Sequence, residues 1–514
     1  MVKENKRFVW VVMDGWGIAP AGKGNCISQA KTPNFDSWIK EYPHSILNAS
    51  GNAVGLPKGY QGNSEVGHLH MGAGRIVWQS FELINRSIKD GSFFKNKAFL
   101  GAIENCKKNK TALHLMGLCS DEGVHATTTH LFALLDLCKK KKFKRVFVHC
   151  FLDGRDVPEK SAPKYIASVE KKLKETGVGR IASICGRYYA MDRAKYWVRT
   201  EKAYNLLMLG EGFRADTALK GLKMAYKRGD LTDYYVQPTA IVPKNEPGPV
   251  VIGEKDSVLF YNFRIDRPKQ LSHALVDKNF DKFERKVWPK IHYVTMTDYE
   301  EEIKSKVAFR FSEIKNNLAD VLSKNNYKQM RIAEKEKSAH VTYFFNSQKP
   351  LPVKGEERSI LPTADVDVFS KKPEMSAPEI AEEAVKQINK EKYDFILINF
   401  ANCDVVGHSA VIPAIIKAVE TVDFCTQKVV MAALAKNYTI IITADHGSAE
   451  EKFYKNGSPK PAHSSNPVNF ILVSNNSELK KAKLKNGGLS DLAPTLLKIA
   501  GLKQPKEMTG KPLI

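Results

Sequence analysis

Three stretches of the chain are apolar without a break and each ends in an acid: FVWVVMD at 8–14, FILINFANCD at 395–404 and YTIIITADH at 438–446. Runs of this kind, without alternation, fit strands covered on both faces, as in parallel sheets with helices between them. Ligands bind beyond the carboxyl ends of such strands. Asp14, Asp404, Asp445 and His446 are therefore expected at one sheet edge, delivered from both ends of the sequence, which predicts a discontinuous domain made of residues 1–77 and 312–514.

Between these segments the pattern recurs with different endings. The runs TALHLMGL, RVFVHCFL, RIASIC and SVLFYNF are followed by His125, by Arg155 and Asp156, by Arg187 and Arg193, and by Arg264 and Arg267. A second domain over 78–311, inserted in the first, is expected, its strand ends gathering cations. Helical punctuation agrees: SAPKYIASVEKKLKETG opens at Ser161 with a proline in the first turn and stops at Gly177, and SAPEIAEEAVKQINKEKYD repeats the start from Ser376. The predicted fold class is α/β, a parallel-sheet domain with a second α/β domain inserted in it.

Composition narrows the functional classes. A chain of 514 residues is too long for one ordinary core. The opening apolar run is too short for a signal-peptide core, and no stretch approaches the roughly 18 residues of a membrane span. Eight cysteines without a CxxC pair suit reduced thiols, so a soluble cytoplasmic protein is expected. The net charge of +23 comes mostly from lysine, 62 Lys against 17 Arg, in runs such as Lys139–Lys142 without interleaved aromatics. Such runs are solvated surface, so no specific nucleic-acid or membrane partner is expected. A basic surface can still draw in a small anionic substrate.

Candidate chemistry collects at the strand ends. Asp404 and His408 in NCDVVGHS share a face if a helical turn follows the strand; in isolation such a pair is more often a helix cap and an incidental histidine. Asp445 and His446 are adjacent, and the Gly447 turn lets both reach one site. Asp14 lies where a buried strand turns at MDGWG, and His463 sits in an irregular loop. Three Asp and three His suffice for two divalent cations with mixed oxygen and nitrogen ligands. QGNSEVGHLHMGAGR, at 61–75, carries glycines at 62, 67, 72 and 74 that allow backbone N–H groups to approach an anion. Ser64 reads either as the N-cap of a helix beginning there or as a nucleophile activated by a cation without a histidine base. Five of the 17 arginines fall just past strands, where planar forks hold phosphate and carboxylate groups.

The chain resembles the 2,3-bisphosphoglycerate-independent phosphoglycerate mutases of the alkaline phosphatase superfamily. The matching motifs are DGWG at 14–17, GNSEVGH at 62–68, FLDGRD at 151–156, GRYYAMDR at 186–193, NFRIDR at 262–267, TADHG at 443–447, HSSNPV at 463–468 and the C-terminal EMTGKPLI. They occur in order over nearly the whole chain. The resemblance implies an alkaline-phosphatase-like metal-binding domain with an inserted substrate-binding domain. It also implies interconversion of 3-phosphoglycerate and 2-phosphoglycerate through a phosphoserine at Ser64, in a monomer. One metal would lie with Asp404, His408 and His463, the other with Asp14, Ser64, Asp445 and His446, manganese being the usual ion. His125, Arg155, Asp156, Arg187, Arg193, Arg264 and Arg267 match substrate-binding positions, with Asp156 as proton carrier, and Glu336 and Lys337 match a pair near the transferring phosphate. Departures are local: Cys403, Val405, Ser448, Ser338 and His70 replace the residues usual in relatives, and Cys403 raises the question of an exposed thiol. A metal-dependent phosphatase or phosphopentomutase-like enzyme would share the Asp/His/Ser core but lack the inserted arginines. A non-catalytic basic binding protein would have no need of the intact metal constellation.

Overall fold

The computed structural model describes residues 6–310 and 313–514. The chain divides into two compact units, Met1–Gln79 with Ser312–Ile514, and Ser80–Phe311. Among the described residues the first unit holds an eight-stranded sheet. Its order is Glu356–Leu361, Gln329–Glu334, Phe395–Phe400, Phe8–Met13, Thr439–Thr443, Val468–Val473, His44–Asn48 and Gly487–Gly488. The three acid-tipped runs are neighbours: Val11 is in parallel register with Ile398 on one side and Ile442 on the other. Every residue of these three strands is buried, each large aliphatic side chain contributing about 1.5–3 kcal/mol by leaving water. Trp10 fills the layer beneath, edge-on to Phe345 and Phe395 at centroid distances of 5.8 and 6.3 Å. The sheet turns antiparallel where Thr439–Thr443 meets Val468–Val473.

The second unit has its own eight-stranded sheet among the described residues. The four apolar runs form its centre as Ser257–Phe260, Leu113–Leu118, Val146–Leu152 and Arg180–Gly186, all parallel. Each unit encloses a separate apolar core.

Both S-A-P helix starts form, over Ala162–Thr176 and Ala377–Asn389, but neither serine caps its helix. The Ser161 hydroxyl donates to the Pro158 carbonyl and that of Ser376 to the Pro362 carbonyl. The first helix ends at Gly177 in the left-handed region, φ 64°. Among the described residues no helix is long and apolar enough to cross a membrane. The eight cysteines are free and buried. Cys403 is no exposed thiol: it is fully buried, and burial raises its pKa well above the ordinary thiol value, the nearby Asp14 charge adding to the shift.

Candidate active site and metal centre

The stretch at 61–75 is built around a helix over Ser64–Ala73. Its N-cap is Asn63, whose side-chain oxygen accepts the Val66 N–H at 3.0 Å, so the capping role open to Ser64 falls to its neighbour. Ser64, in the first helical turn, keeps its hydroxyl for the site. The glycines serve packing: a Cβ on Gly67 would stand 2.7 Å from both Cβ and the carbonyl oxygen of Asp445, and one on Gly72 would stand 1.8 Å from the Phe345 carbonyl oxygen. Only glycine lets this helix lie directly on the strand-end loop that carries Asp445 and His446. Gly15, at φ +80°, likewise brings the turn after Asp14 against the backbone of Asp404.

Ser64 Oγ lies 3.1 Å from Asp14 Oδ1 and 3.0 Å from His446 Nε2, and receives a 2.6 Å hydrogen bond from Lys337 Nζ. Lys337 also reaches Asp404 Oδ2 at 2.6 Å and Asp14 Oδ2 at 2.9 Å. Asp404 Oδ1 faces three imidazoles, His463 Nε2 at 3.0 Å, His408 Nε2 at 3.3 Å and His446 Nε2 at 3.8 Å. The sequence reading gave Ser64 no histidine base and grouped it with His446 as a fellow metal ligand; the structure sets His446 Nε2 within hydrogen-bond distance of the hydroxyl and common to both clusters.

Two triads have ligand atoms mutually within 4.8 Å: Asp404, His446 and His463, and Asp14, Asp445 and His446. His408 adjoins the first triad and Ser64 the second. These donor sets fit divalent cations. Asp404 Oδ1 and Asp445 Oδ2 are buried oxygens without a well-aligned hydrogen-bond donor, and mixed carboxylate and imidazole donors suit first-row metals. Without a cation, the protein's own positive charges answer the carboxylates. Burial alone would lower the pKa of His446, but Asp445, Asp14 and Asp404 raise it to about 10. Burial likewise opposes the charge on Lys337, and Asp14, Asp404 and Asp445 overcome it and raise the pKa above the ordinary lysine value. Burial would raise Asp404 and Asp445; the neighbouring cations and imidazoles hold both well below the carboxylate range. Of the Glu336–Lys337 pair only Lys337 joins this group. Glu336 is exposed, its backbone N–H donating to Thr363 Oγ1.

In the second unit the strand ends gather both signs of charge, correcting the expectation of cations alone. Buried Arg187 donates from one nitrogen to Asp153 and to Asp156, each at 2.6 Å. Asp266 pairs with Arg193 and lies 3.3 Å from Arg264 Nε. His125 stands between the two sets, 3.8 Å from Asp156 and 3.4 Å from Asp266. Burial, with Arg187 and Arg264, lowers its pKa to about 4 against the pull of Asp266 and Asp156, so its imidazole is neutral at pH 7. Arg267 is buried and donates to the Met191 carbonyl at 3.0 Å. Arg155 is exposed, its backbone N–H bonded to Asp153.

Sequence reasoning passed over several residues that hold these groups in place. Asp153 accepts from Arg187, from Ser120 Oγ and from two backbone N–H groups. Lys452, fully buried, donates to the carbonyl of Gly407 and to Ser448 Oγ, and reaches that of Ala462 at 3.5 Å; Gly407 and Ala462 are the residues before His408 and His463. Glu450 accepts the N–H groups of Gly17 and Ser448. Asp153 lies inside FLDGRD and Glu450 shortly after TADHG; nothing in the sequence marks Lys452 among so many lysines.

Similar chains match this one over nearly its whole length. A 2,3-bisphosphoglycerate-independent phosphoglycerate mutase of Clostridium acetobutylicum is 48% identical over 510 residues, covering 99% of both chains. The chain belongs to that family. The corresponding mutase 1 of Methanosarcina barkeri is 48% identical over 516 residues, covering 100% of this chain and 99% of its own. The family model for the N-terminus of BPG-independent phosphoglycerate mutases matches residues 84–301, and the sulfatase model matches residues 369–502. The latter places the first unit's C-terminal segment with the alkaline phosphatase superfamily. A crystal structure of Leishmania mexicana phosphoglycerate mutase at low cobalt concentration superposes with a TM-score of 0.63 at 28% identity, covering 99% of this chain and 98% of its own. The chain's α/β architecture, with two parallel-dominated sheets, is thus shared with a solved phosphoglycerate mutase.

Proposed function

We propose that this chain interconverts 3-phosphoglycerate and 2-phosphoglycerate without 2,3-bisphosphoglycerate, passing the phosphoryl group to Ser64 and back to the same glycerate. The observation that carries this reading is the placement of Ser64 Oγ at the start of a helix, among Asp14, His446 and Lys337. A helix N-terminus favours the negative charge that a phosphoserine brings, and the Lys337 ammonium is placed to stabilise it further. Bound divalent cations, two manganese ions in this proposal, would acidify the serine hydroxyl and neutralise the transferring group. Asp404, His408 and His463 would hold one, and Asp14, Ser64, Asp445 and His446 the other.

The substrate's anionic groups fall to the second unit. Arg155, Arg187, Arg193, Arg264 and Arg267 would bind its carboxylate and phosphate and keep the glycerate in place while it turns. Asp156, held by Arg187, would carry the protons of the two hydroxyls, and neutral His125 would bind the substrate beside it. Glu336 would assist Lys337 at the phosphoryl group. The free cysteines support a reducing, cytoplasmic setting, and the family resemblance supports a monomer acting on this small substrate alone. Phosphorus NMR of manganese-loaded protein with 3-phosphoglycerate tests the reading. The 2-phosphoglycerate resonance is expected to grow to equilibrium; accumulation of free phosphate in its place would make the protein a phosphatase.

A further inference from the structure

We infer that His68 and Asn399 are positioning residues that fix the ligating oxygens of Asp14 and Asp445, an inference that rests on the reading of these carboxylates as ligands of one divalent cation. His68 follows Ser64 by four residues, so it lies on the same face of the helix one turn on. It is fully buried. Its Nδ1 stands 2.9 Å from the Ser64 carbonyl oxygen and 3.2 Å from Asp445 Oδ2, and its Nε2 stands 3.1 Å from Asn399 Nδ2. Asn399 Nδ2 in turn donates to Asp14 Oδ2 at 2.8 Å.

The proton positions follow from the partners. Asp14 Oδ2 already accepts Lys337 at 2.9 Å, so the amide atom facing it must be the nitrogen. That nitrogen has a second hydrogen, and His68 Nε2 is the acceptor in reach. Nε2 therefore carries no hydrogen, and the ring hydrogen sits on Nδ1, bonded to the Ser64 carbonyl, with Asp445 Oδ2 lying 3.2 Å from the same nitrogen. One histidine thus links the backbone of the proposed nucleophile to both carboxylates.

Each carboxylate is held through one oxygen or on one side. Asp445 Oδ1 accepts the N–H groups of Gly15 and His446, and its Oδ2 rests against His68 Nδ1 at 3.2 Å without a formed hydrogen bond, keeping capacity for a cation. Asp14 is anchored through Oδ2 by Asn399 and Lys337, which aims Oδ1 at Ser64 Oγ and His446. Partners of this kind around metal ligands typically govern affinity or activity by 10–100-fold.

The test is a manganese titration of the full chain, followed by the electron paramagnetic resonance of free Mn2+, on the parent, His68→Leu, His68→Asn and Asn399→Leu. In His68→Leu and Asn399→Leu one of two ions is expected to bind about 10–100-fold more weakly, the ion at Asp404, His408 and His463 keeping its affinity. Turnover should fall with KM for 3-phosphoglycerate within about twofold, since the proposed substrate groups lie elsewhere. His68→Asn, which keeps a donor near the Nδ1 position, should recover much of the lost affinity. The double Leu variant should lose less than the product of the single losses, as expected for residues acting through one network. Parental affinity for both ions in a folded His68→Leu would overturn the inference, as would His68→Asn binding no better than His68→Leu. If His68→Leu does not fold, Asn399→Leu decides: parental affinity there overturns it. A parent that binds two manganese ions but does not isomerise phosphoglycerate would sink the proposed activity and leave this inference standing, whereas a parent that binds none would sink the metal reading itself.

Discussion

Lys337 Nζ lies 2.6 Å from Ser64 Oγ and 2.6 Å from Asp404 Oδ2, so one buried ammonium joins the proposed nucleophile to a carboxylate of the neighbouring metal cluster. Its charge survives burial because three aspartates surround it. The same carboxylates that would bind cations therefore also hold a fixed positive charge against the serine.

Replacing that charge separates its two roles. In Lys337→Met turnover should fall about 100–1000-fold, the range for losing one preorganised donor at a developing charge. Manganese affinity should match or exceed the parent's, because a competing cation leaves the carboxylates. Weakened metal binding, with turnover restored to the parental rate at saturating manganese, would show that Lys337 only props the site.

Metal binding should be strongly pH-dependent. In the metal-free protein His446 has a pKa of about 10, and it must be neutral to ligate, so below pH 10 binding releases its proton. Affinity should rise about tenfold per pH unit between pH 6.5 and 8.5, steeper still if His408, whose pKa its hydrogen bond to Asp404 raises, also discharges. Chelation should abolish turnover and manganese restore it. Full activity in protein shown to be metal-free, or an affinity flat across this pH range, would contradict the account.

The parts legible in the sequence are those with a one-dimensional signature. Val11, Ile398 and Ile442 sit in unbroken apolar runs, so the central strands and the edge they share could be read directly. Asp404 and Asp445 follow because each lies at the end of such a run, and Ser64 because it opens a helix behind a glycine-bearing loop. The charge balance of the second unit was misread because Asp153 and Asp266 look like ordinary turn acids until Arg187 and Arg193 are seen to close on them. His68 carried no signal of its own: its meaning depends on Asn399, 331 residues away in sequence. The capping role left open for Ser64 went to Asn63 because the residue before the helix, in extended backbone, is the one whose side chain can turn back to the free N–H groups.

Arg264→Lys keeps the charge and removes the planar fork. Arg264 is about half exposed, with Asp266 its neighbour, so thermal stability should be unchanged. Turnover per bound substrate should drop by about 2–4 kcal/mol in transition-state terms if the fork grips the transferring phosphoryl group. Steady-state kinetics beside a melting curve checks this; unchanged kcat and KM would make Arg264 a surface cation.

His70 should make the protein acid-sensitive. It is fully buried, receives the Val77 N–H at Nε2 and donates from Nδ1 to the Val66 carbonyl. Burial lowers its pKa to about 4, against about 6.5 in the unfolded chain. Between those values the unfolded state binds more protons, so the contribution is complete above pH 6.5 and is lost as pH falls toward 4, approaching about 3 kcal/mol. Urea midpoints should fall more steeply from pH 7.5 to 5 in the parent than in His70→Asn. Parallel slopes would show that His70 does not carry the effect.

The route of the phosphoryl group is tested most directly by the isomerisation rate of Ser64→Ala, measured with manganese bound. The remaining ligands of both clusters are intact in this variant, so metal binding should persist in part. The account predicts that conversion of 3-phosphoglycerate to 2-phosphoglycerate disappears, because no other group stands where Ser64 Oγ meets Lys337, Asp14 and His446. Isomerisation at the parental rate would contradict it.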